Sequence, residues 1–235
     1  MGAVYRRELL SYFKNPIGYF VIGVYALLSG VLFVVSTFGQ STSSMGGYFS
    51  SRWFYFINLA VVVMFSFKFF SEEKKNRTDQ LLLTSPVSIP ALVFGKFFSA
   101  SFIFVCLTLI NVIYAVIISV FGQLYAGDFL VQMIGTVFIG IAMISVAVFL
   151  SSCTESQIGT VSATFAVLGM MVVVDAVLNY LPNWLASVLS SLSLYTKFSD
   201  FSMGIFSLFP TIYYLSVTGV FLFLTVRMIE KRRWA

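Results

Sequence analysis

Six long apolar stretches constrain the fold of this 235-residue chain more than any other feature of its sequence. A membrane-spanning helix needs about 20 mostly apolar residues, and each stretch approaches or exceeds that length. The expected spans are residues 17–37, 53–70, 97–121, 129–150, 158–181 and 208–226. Only 10% of the residues are charged, whereas soluble domains carry about 25%. The sequence therefore predicts one all-α membrane domain over residues 1–235, with six transmembrane helices.

The basic residues fall almost entirely on one side of this predicted topology. With six spans, the two termini and the second and fourth connections share a side. All but two of the 14 Lys and Arg residues lie there, and the exceptions are Arg52 and Lys197. Because connections rich in Lys and Arg stay in the cytoplasm, we expect both termini to be cytoplasmic. The net charge of +5 reflects this orientation and does not indicate nucleic-acid binding.

Two shorter helices are expected beside the spans. An apolar stripe at helical spacing precedes the first span and ends at Asn15-Pro16, where a helix should stop. It predicts an amphipathic interfacial helix, unless this segment is only a basic flank that sets topology. In this helix Tyr5, Leu9, Tyr12 and Phe13 form the apolar stripe, and the basic residues Arg6 and Arg7 lie off it. The apolar piece at residues 184–194 is too short to cross the bilayer, so it predicts an outer re-entrant helix before the last span.

The sequence offers few groups that could support chemistry. It contains no His, and the predicted spans hold Lys68 and Asp175 as their only ionisable residues. Both lie near span ends, so we expect Lys68 to reach water and Asp175 to take a hydrated outer position. A phosphate-binding loop is absent. We therefore expect no enzyme activity, no metal and no cofactor in this chain, and the scarcity of buried charge disfavours a secondary carrier.

One predicted cytoplasmic connection departs from the apolar pattern. It reads FFSEEKKNRTDQLLLTSPVSIPALVFGKFF, from Phe69 to Phe98. Asn76 or Thr78 can cap a short helix that Pro86 ends, and Ser88 with Pro90 begins the third span. Such a helix is charged at its front and leucine-rich at its end. It either dips into the membrane surface or docks in a groove on a cytosolic partner.

The run from Glu72 to Lys96 resembles the cytoplasmic loop of ABC-2-type transporter permeases, with the gliding-motility-type members closest to it. In those members the loop sequence contains, in order, an acidic pair, basic residues, Arg-Thr, Leu-Leu, Thr-x-Pro and then Gly-Lys. The stretch RRELLSYFKNPIGYF, from Arg6 to Phe20, is similar to the family's opening Arg-Glu-x-x-x-Phe-x-x-Pro pattern. The six-span plan agrees as well. The first outer loop is shorter here than is usual in the family, so any outer domain would belong to an accessory protein.

The resemblance implies the permease subunit of an ATP-driven transporter in a bacterial plasma (inner) membrane, with export as the expected direction. Two permeases, either two copies of this chain or one copy with a paralogue, would sit on two copies of an ABC ATP-binding subunit that binds ATP and Mg. The connection would supply the coupling helix, with a leucine anchor, a charged rim and a rigid end, and Glu8 is a candidate partner for one of its bases. The coupling residues would be Glu72, Glu73, Lys74, Arg77, Thr78, Leu81, Leu82, Leu83 and Pro86.

Two other functions stay open at this point. A membrane scaffold that transports nothing could use the same connection to recruit a cytosolic protein. A haem-export-type membrane subunit would also have six spans, although the absence of His and the loop pattern count against it.

Overall fold

The computed structural model describes residues 2–14, 16–37, 45–71, 88–122, 124–177, 182, 189–191 and 193–234. Within these ranges the regular structure is helical and no strand occurs. In chain order the helices are α1 (Gly2–Lys14), α2 (Pro16–Thr37), α3 (Gly46–Ser50), α4 (Arg52–Ser66), α5 (Ile89–Thr108), α6 (Ile110–Phe121), α7 (Ala126–Cys153), α8 (Gln157–Val177), α9 (Ser199–Ser202) and α10 (Leu208–Trp234). A 3₁₀ turn, Thr196–Phe198, precedes α9.

Five helical segments of the described chain are long and apolar enough to cross a membrane. They are Gly18–Thr37, Ile89–Phe121, Ala126–Cys153, Gln157–Asp175 and Leu208–Lys231, and they overlap five of the six predicted spans. The remaining predicted span, residues 53–70, is the shorter helix α4 followed by a turn. At 1.5 Å per residue its 15 residues cover about 22 Å, less than the ~30 Å hydrocarbon core. The expected count of six therefore depends on α4.

The third span begins where the local sequence predicted a helix start. Ser88 precedes the first residue of α5 in an extended conformation, and Pro90 lies in the first turn. Proline suits this position because the first N–H groups of a helix have no intrahelical acceptor. The helix thus begins eight residues before the uncharged run at 97–121, and the added turns include Lys96.

The outer re-entrant helix is not established by the structure. More than half of the predicted segment, residues 184–188 and 192, lies outside the described residues. Residues 189–191 are helical, and Leu194 is buried at the start of the turn that leads to α9.

The long helices run between two ends of the bundle. We call the end that holds residues 68–71, 88–96 and 150–160 the loop end, because the charged connection leaves and returns there. The distal end holds residues 45–52, 122–128 and 193–206. Glu8 and Lys96 meet at the loop end, whereas Arg52 and Asp175 meet at the distal end.

Helix α7 is the centre of the bundle and packs against α4, α5, α8, α9 and α10. Its glycines let two aromatic rings approach the backbone. A Cβ at Gly135 would overlap Phe201, and a Cβ at Gly140 would overlap the ring of Phe104. Small residues allow such close approach in membrane bundles, where van der Waals packing and not water exclusion holds helices together. The two glycines are five residues apart and contact different elements, Phe201 in α9 and Phe104 in α5.

We expect Gly140→Ala to destabilise the bundle. The added methyl group must displace the Phe104 ring, and that ring is fully buried. Overpacking of this kind costs about 1–3 kcal/mol, or about 5 °C in thermal midpoint for a chain of this size. Thermal unfolding of the detergent-solubilised protein measures the change. Gly219→Ala is the matched control, because its Cβ would meet nothing within 4 Å; an equal midpoint for the two variants would contradict the close α5–α7 packing.

The outward faces of the long helices are apolar along their length. Large exposed side chains include Leu27 and Val31 on α2, Val120 on α6, Phe165 on α8 and Phe223 on α10. A soluble protein rarely leaves so continuous an apolar surface uncovered. The exposed faces therefore support the membrane environment that composition predicted.

Candidate functional site

The predicted coupling residues lie outside the part of the chain that the structure describes. Residues 72–87 include all nine of them: Glu72, Glu73, Lys74, Arg77, Thr78, Leu81, Leu82, Leu83 and Pro86. Both flanks of this segment are described. They are residues 67–71, which follow α4, and Ser88–Lys96, which begin α5. The candidate site is built by these flanks and by what holds them.

Lys96 ties the two flanks and α1 together. It is 2% exposed, and its Nζ donates to the backbone carbonyl of Phe69 at 3.0 Å. The same Nζ lies 3.4 Å from Oε1 of Glu8 in α1. The Phe70 ring lies 5.3 Å from the ammonium, close enough for a cation–π interaction. A buried ammonium needs such partners, because an uncompensated buried charge costs several kcal/mol.

Glu8 receives a second cation from its own helix. Nη2 of Arg7 donates to Oε1 of Glu8 at 2.7 Å, and Arg7 is exposed while Glu8 is buried. Burial of Glu8 by itself would raise the pKa of its carboxyl group. The charges and hydrogen bonds of Lys96 and Arg7 act in the opposite direction, and together they hold that pKa below its usual value. The carboxylate therefore stays ionised at neutral pH.

This lowered pKa predicts a loss of stability in acid. A carboxyl group with a lower pKa in the native state gives its full stabilisation above its ordinary pKa, 4.5, and loses it as the pH falls through the native value. We expect the thermal midpoint of the solubilised protein to fall less steeply below this pH in Glu8→Gln than in the wild type. Glu155→Gln, which changes an exposed acid at the same end, should keep the wild-type slope. Parallel profiles for Glu8→Gln and the wild type would contradict this account.

The contact between α1 and α5 is close at Gly95. A Cβ built on Gly95 would lie 2.8 Å from Cγ1 of Val4, so a larger residue there would push α1 away. The neighbouring Lys96 then reaches Glu8. Gly95-Lys96 and Arg7-Glu8 are far apart in the sequence, yet they form one contact. The expectation that Glu8 pairs with a base of the second connection is confirmed, and Lys96 is that base.

Lys68 differs from its sequence-based expectation. It was predicted to extend to water from the end of a span, but it is only 5% exposed and its Nζ lies 3.9 Å from the centre of the Tyr12 ring. Tyr12 also packs edge-on against Phe65 of α4. The reason is that Tyr12 of α1 lies against both Lys68 and Phe65 and takes the place of the water that a free span end would have.

Helix α1 confirms the predicted helix but not every detail of its apolar stripe. It packs against α5 and α2 and begins before Tyr5, at Gly2. Tyr12 is buried and Leu9 is half-buried, whereas Phe13 is 42% exposed and Arg6 is exposed. Tyr5 is half-buried and Arg7 is exposed. The apolar pattern did not predict that Glu8 is buried, because a carboxylate is not expected on the apolar face of a helix.

A cluster of hydroxyl groups fixes the flank that leads into residues 72–87. Oγ of Ser151 accepts hydrogen bonds from the backbone N–H groups of Phe70 at 2.9 Å and Ser71 at 3.2 Å. Oγ of Ser71 lies 2.9 Å from Oγ of Ser151 and also contacts the hydroxyl of Thr160. Thr160 in turn contacts the hydroxyl of Thr154. The second and fourth connections therefore share one end of the bundle, as the predicted topology requires.

Two further polar groups lie towards the distal end. Nη2 of Arg52 lies 3.8 Å from Oδ2 of Asp175, whose side chain is 19% exposed, so Asp175 pairs with a base that was predicted on the same side. No sequence pattern predicted the buried network in which Tyr48 donates to Oδ1 of Asn111 at 2.8 Å and Asn111 donates to the Tyr25 hydroxyl at 3.1 Å. This network satisfies polar groups inside the bundle and joins α2, α3 and α6.

In the described ranges, no three His, Cys, Asp or Glu residues come together in a way that could hold a metal ion. The contacts described at the candidate site are ion pairs and hydrogen bonds between hydroxyl groups. These contacts join one flank of residues 72–87 to α7 and α8, and they join both flanks to α1.

A family model described as ABC-2 family transporter protein matches residues 5–226. The match covers nearly the whole chain and includes most of α1, both flanks of residues 72–87 and the long helices up to residue 226 of α10. No curated protein matches the chain.

Proposed function

Since the chain belongs to the ABC-2 family of transporter proteins, a family of membrane transport components that are not themselves catalytic, we propose that it is the permease subunit of an ATP-driven exporter. In this proposal a separate ABC ATP-binding subunit, present in two copies, binds ATP and Mg. Two permeases, either two copies of this chain or one with a paralogue, form the membrane part. The pattern from Glu72 to Lys96 favours the gliding-motility-type branch, in a bacterial inner membrane.

The observation that carries the proposal is that the flanks on both sides of residues 72–87 are held by buried contacts. One flank is bound to α7 and α8 through Ser71, Ser151 and Thr160. Lys96, on the other flank, is bound to the Phe69 carbonyl and to Glu8 of α1. Buried ionic and hydroxyl contacts therefore hold both flanks to the rest of the bundle.

This anchorage suits a segment that transmits force. We propose that residues 72–87 form a coupling helix, with Leu81 and Leu82 seated in a cleft of the ATP-binding subunit. When ATP binding closes the pair of ATP-binding subunits, the displacement would pass through the anchored flanks into the helices as rigid-body motion. Helix α1 would move with α5, because Glu8 and Lys96 bind them together.

We also propose that α4 completes six spans. Its first residue, Arg52, pairs with Asp175 at the distal end, and Ser71, just after it, contacts Ser151 at the loop end. The segment therefore connects the same two ends as the longer helices, although its regular helix is shorter than the usual bilayer core. Local thinning of the bilayer accommodates a short span at modest cost. Both termini would then be cytoplasmic.

Purification of the tagged chain from its native membrane tests the function. We expect an ATP-binding subunit to co-purify and the complex to hydrolyse ATP, while the chain alone does not. Recovery of a different cytosolic protein, with no ATP-binding subunit, would identify a scaffold instead.

Labelling tests the orientation independently. In a variant without Cys106 and Cys153, a cysteine placed by Thr78→Cys should react with a membrane-impermeant maleimide only after the cytoplasmic side is opened. Reaction in intact cells would overturn the proposed coupling role.

A further inference from the structure

Helix α1 packs on the loop end of the bundle through one face. Val4, Glu8 and Tyr12 form this face, because residues four apart lie on the same side of a helix. The first two contact α5, and Tyr12 packs against Phe65 of α4. The helix therefore lies across the ends of α4 and α5, and its other face points away from them.

The face that points away from the bundle carries both basic and apolar side chains. Its exposed residues are Arg6, Arg7, Leu10, Phe13 and Lys14. The only acid in the sequence of α1, Glu8, is buried on the opposite face. The exposed face of α1 is therefore positively charged, and a negatively charged group is its complementary partner.

An open groove of about 500 Å³ runs along this face, lined by Arg7, Leu10, Ser11 and Lys14. The side chain of Arg7 is 56% exposed, and its bond to Glu8 holds the guanidinium at one end of the groove. Lys14 lies two turns further on, about 10 Å along the helix axis. Two long basic side chains can therefore reach one anionic group from both ends of the groove.

The apolar residues at the groove indicate a lipid and not an anion dissolved in water. Leu10 lines the groove and is 40% exposed, and Phe13 on the same face is 42% exposed. Helix α2 follows directly, and in its first turns Tyr19 and Phe20 are 64% and 62% exposed. The groove thus adjoins the apolar outward surface that the long helices present to the membrane.

We propose that this groove binds the headgroup of an anionic membrane phospholipid. Arg7 and Lys14 pair with the phosphate oxygens, and the hydroxyl of Ser11 donates a hydrogen bond to the same group. Leu10 and Phe13 contact the carbon atoms that follow the phosphate. A zwitterionic lipid binds less well, because its ammonium group would lie beside two bases of the same sign. The site rests on the membrane environment and not on the proposed coupling to ATP.

Native mass spectrometry of the purified full chain, incubated with equal amounts of phosphatidylglycerol and phosphatidylethanolamine, tests this site. We expect the wild type to retain phosphatidylglycerol preferentially. One basic residue near an anionic surface strengthens the attraction about fivefold, so Lys14→Gln should lower the preference about fivefold. Lys14→Arg keeps the charge and should keep the preference. Lys231→Gln, the same change at an exposed position of α10 outside the groove, should also keep it.

Arg7 is a less selective position for this test, because its loss would also remove a hydrogen bond to Glu8. The proposal is overturned if the wild type retains the two lipids equally. Equal losses of preference in Lys14→Gln and Lys231→Gln would also overturn it, since they would show a diffuse attraction to positive charge. Unchanged lipid retention by Lys14→Gln would overturn it as well, and loss of the ATP-binding subunit from that variant would then identify the groove as a protein contact.

Discussion

Replacing Leu82 by aspartate is expected to abolish co-purification of the ATP-binding subunit while the chain remains inserted in the membrane. The proposed coupling helix has a leucine triplet at residues 81–83 and charges before it, which is the pattern of an apolar anchor with a polar rim. A carboxylate in an apolar cleft must be desolvated without a partner. Loss of a central anchor costs at least about 2 kcal/mol, or about 30-fold in Kd, and the buried charge adds to that.

Gln80→Asp is the matched control for Leu82→Asp. It adds the same negative charge two residues away and removes no leucine, so it should retain most of the ATP-binding subunit. The amount of each variant in the membrane fraction reports insertion separately. Undiminished co-purification of Leu82→Asp, together with normal ATP-driven activity, would remove residues 72–87 from the coupling role.

The second large effect is expected at Lys96. The variant Lys96→Met keeps the approximate length of the side chain but removes its charge. The buried Glu8 carboxylate then keeps Arg7 as its basic contact among those described above. The Phe69 carbonyl loses the hydrogen bond that Lys96 donates. Removing one partner of a buried ion pair costs about 3–5 kcal/mol. Because exposed Arg7 compensates in part, we expect the lower value, about 3 kcal/mol. For a chain of this length that lowers the thermal midpoint by about 10 °C.

A double variant separates the ion pair from packing effects. Glu8→Gln with Lys96→Met removes both charges, and we expect it to be more stable than Lys96→Met alone, because no uncompensated carboxylate remains. Lys14→Met, the same change at an exposed position of α1, should leave the midpoint unchanged. Equal midpoints for Lys96→Met and Lys14→Met would show that the Glu8–Lys96 pair does not hold α1 in place.

These two variants test different steps of the same proposal. Leu82→Asp affects the contact with the ATP-binding subunit, whereas Lys96→Met affects the anchorage behind that contact. A Lys96→Met protein that still binds the ATP-binding subunit but couples ATP hydrolysis poorly to transport would place Lys96 as a positioning residue.

Local properties of the sequence determined much of the architecture. Long apolar stretches predicted the membrane environment and five of the long helices, because transfer into lipid depends on composition over about 20 residues and hardly on what lies nearby. Ser88 and Pro90 likewise predicted the first residue of α5, since capping and proline act within one turn. The second span was less well predicted. Composition alone extended it to residue 70, whereas its regular helix ends at Ser66.

Only the tertiary structure decided which polar groups meet. Lys68 was expected at the water interface and lies under the Tyr12 ring, while Lys96 reaches Glu8 across 88 positions of sequence. Ser71 meets Ser151 and Thr160 at the loop end, and Gln132 meets Ser202 at the distal end. Each of these contacts depends on how far one helix is rotated and shifted against another. Packing of side chains such as Phe104 on Gly140 sets that rotation, and hydropathy, which is a property of one segment, contains no information about it.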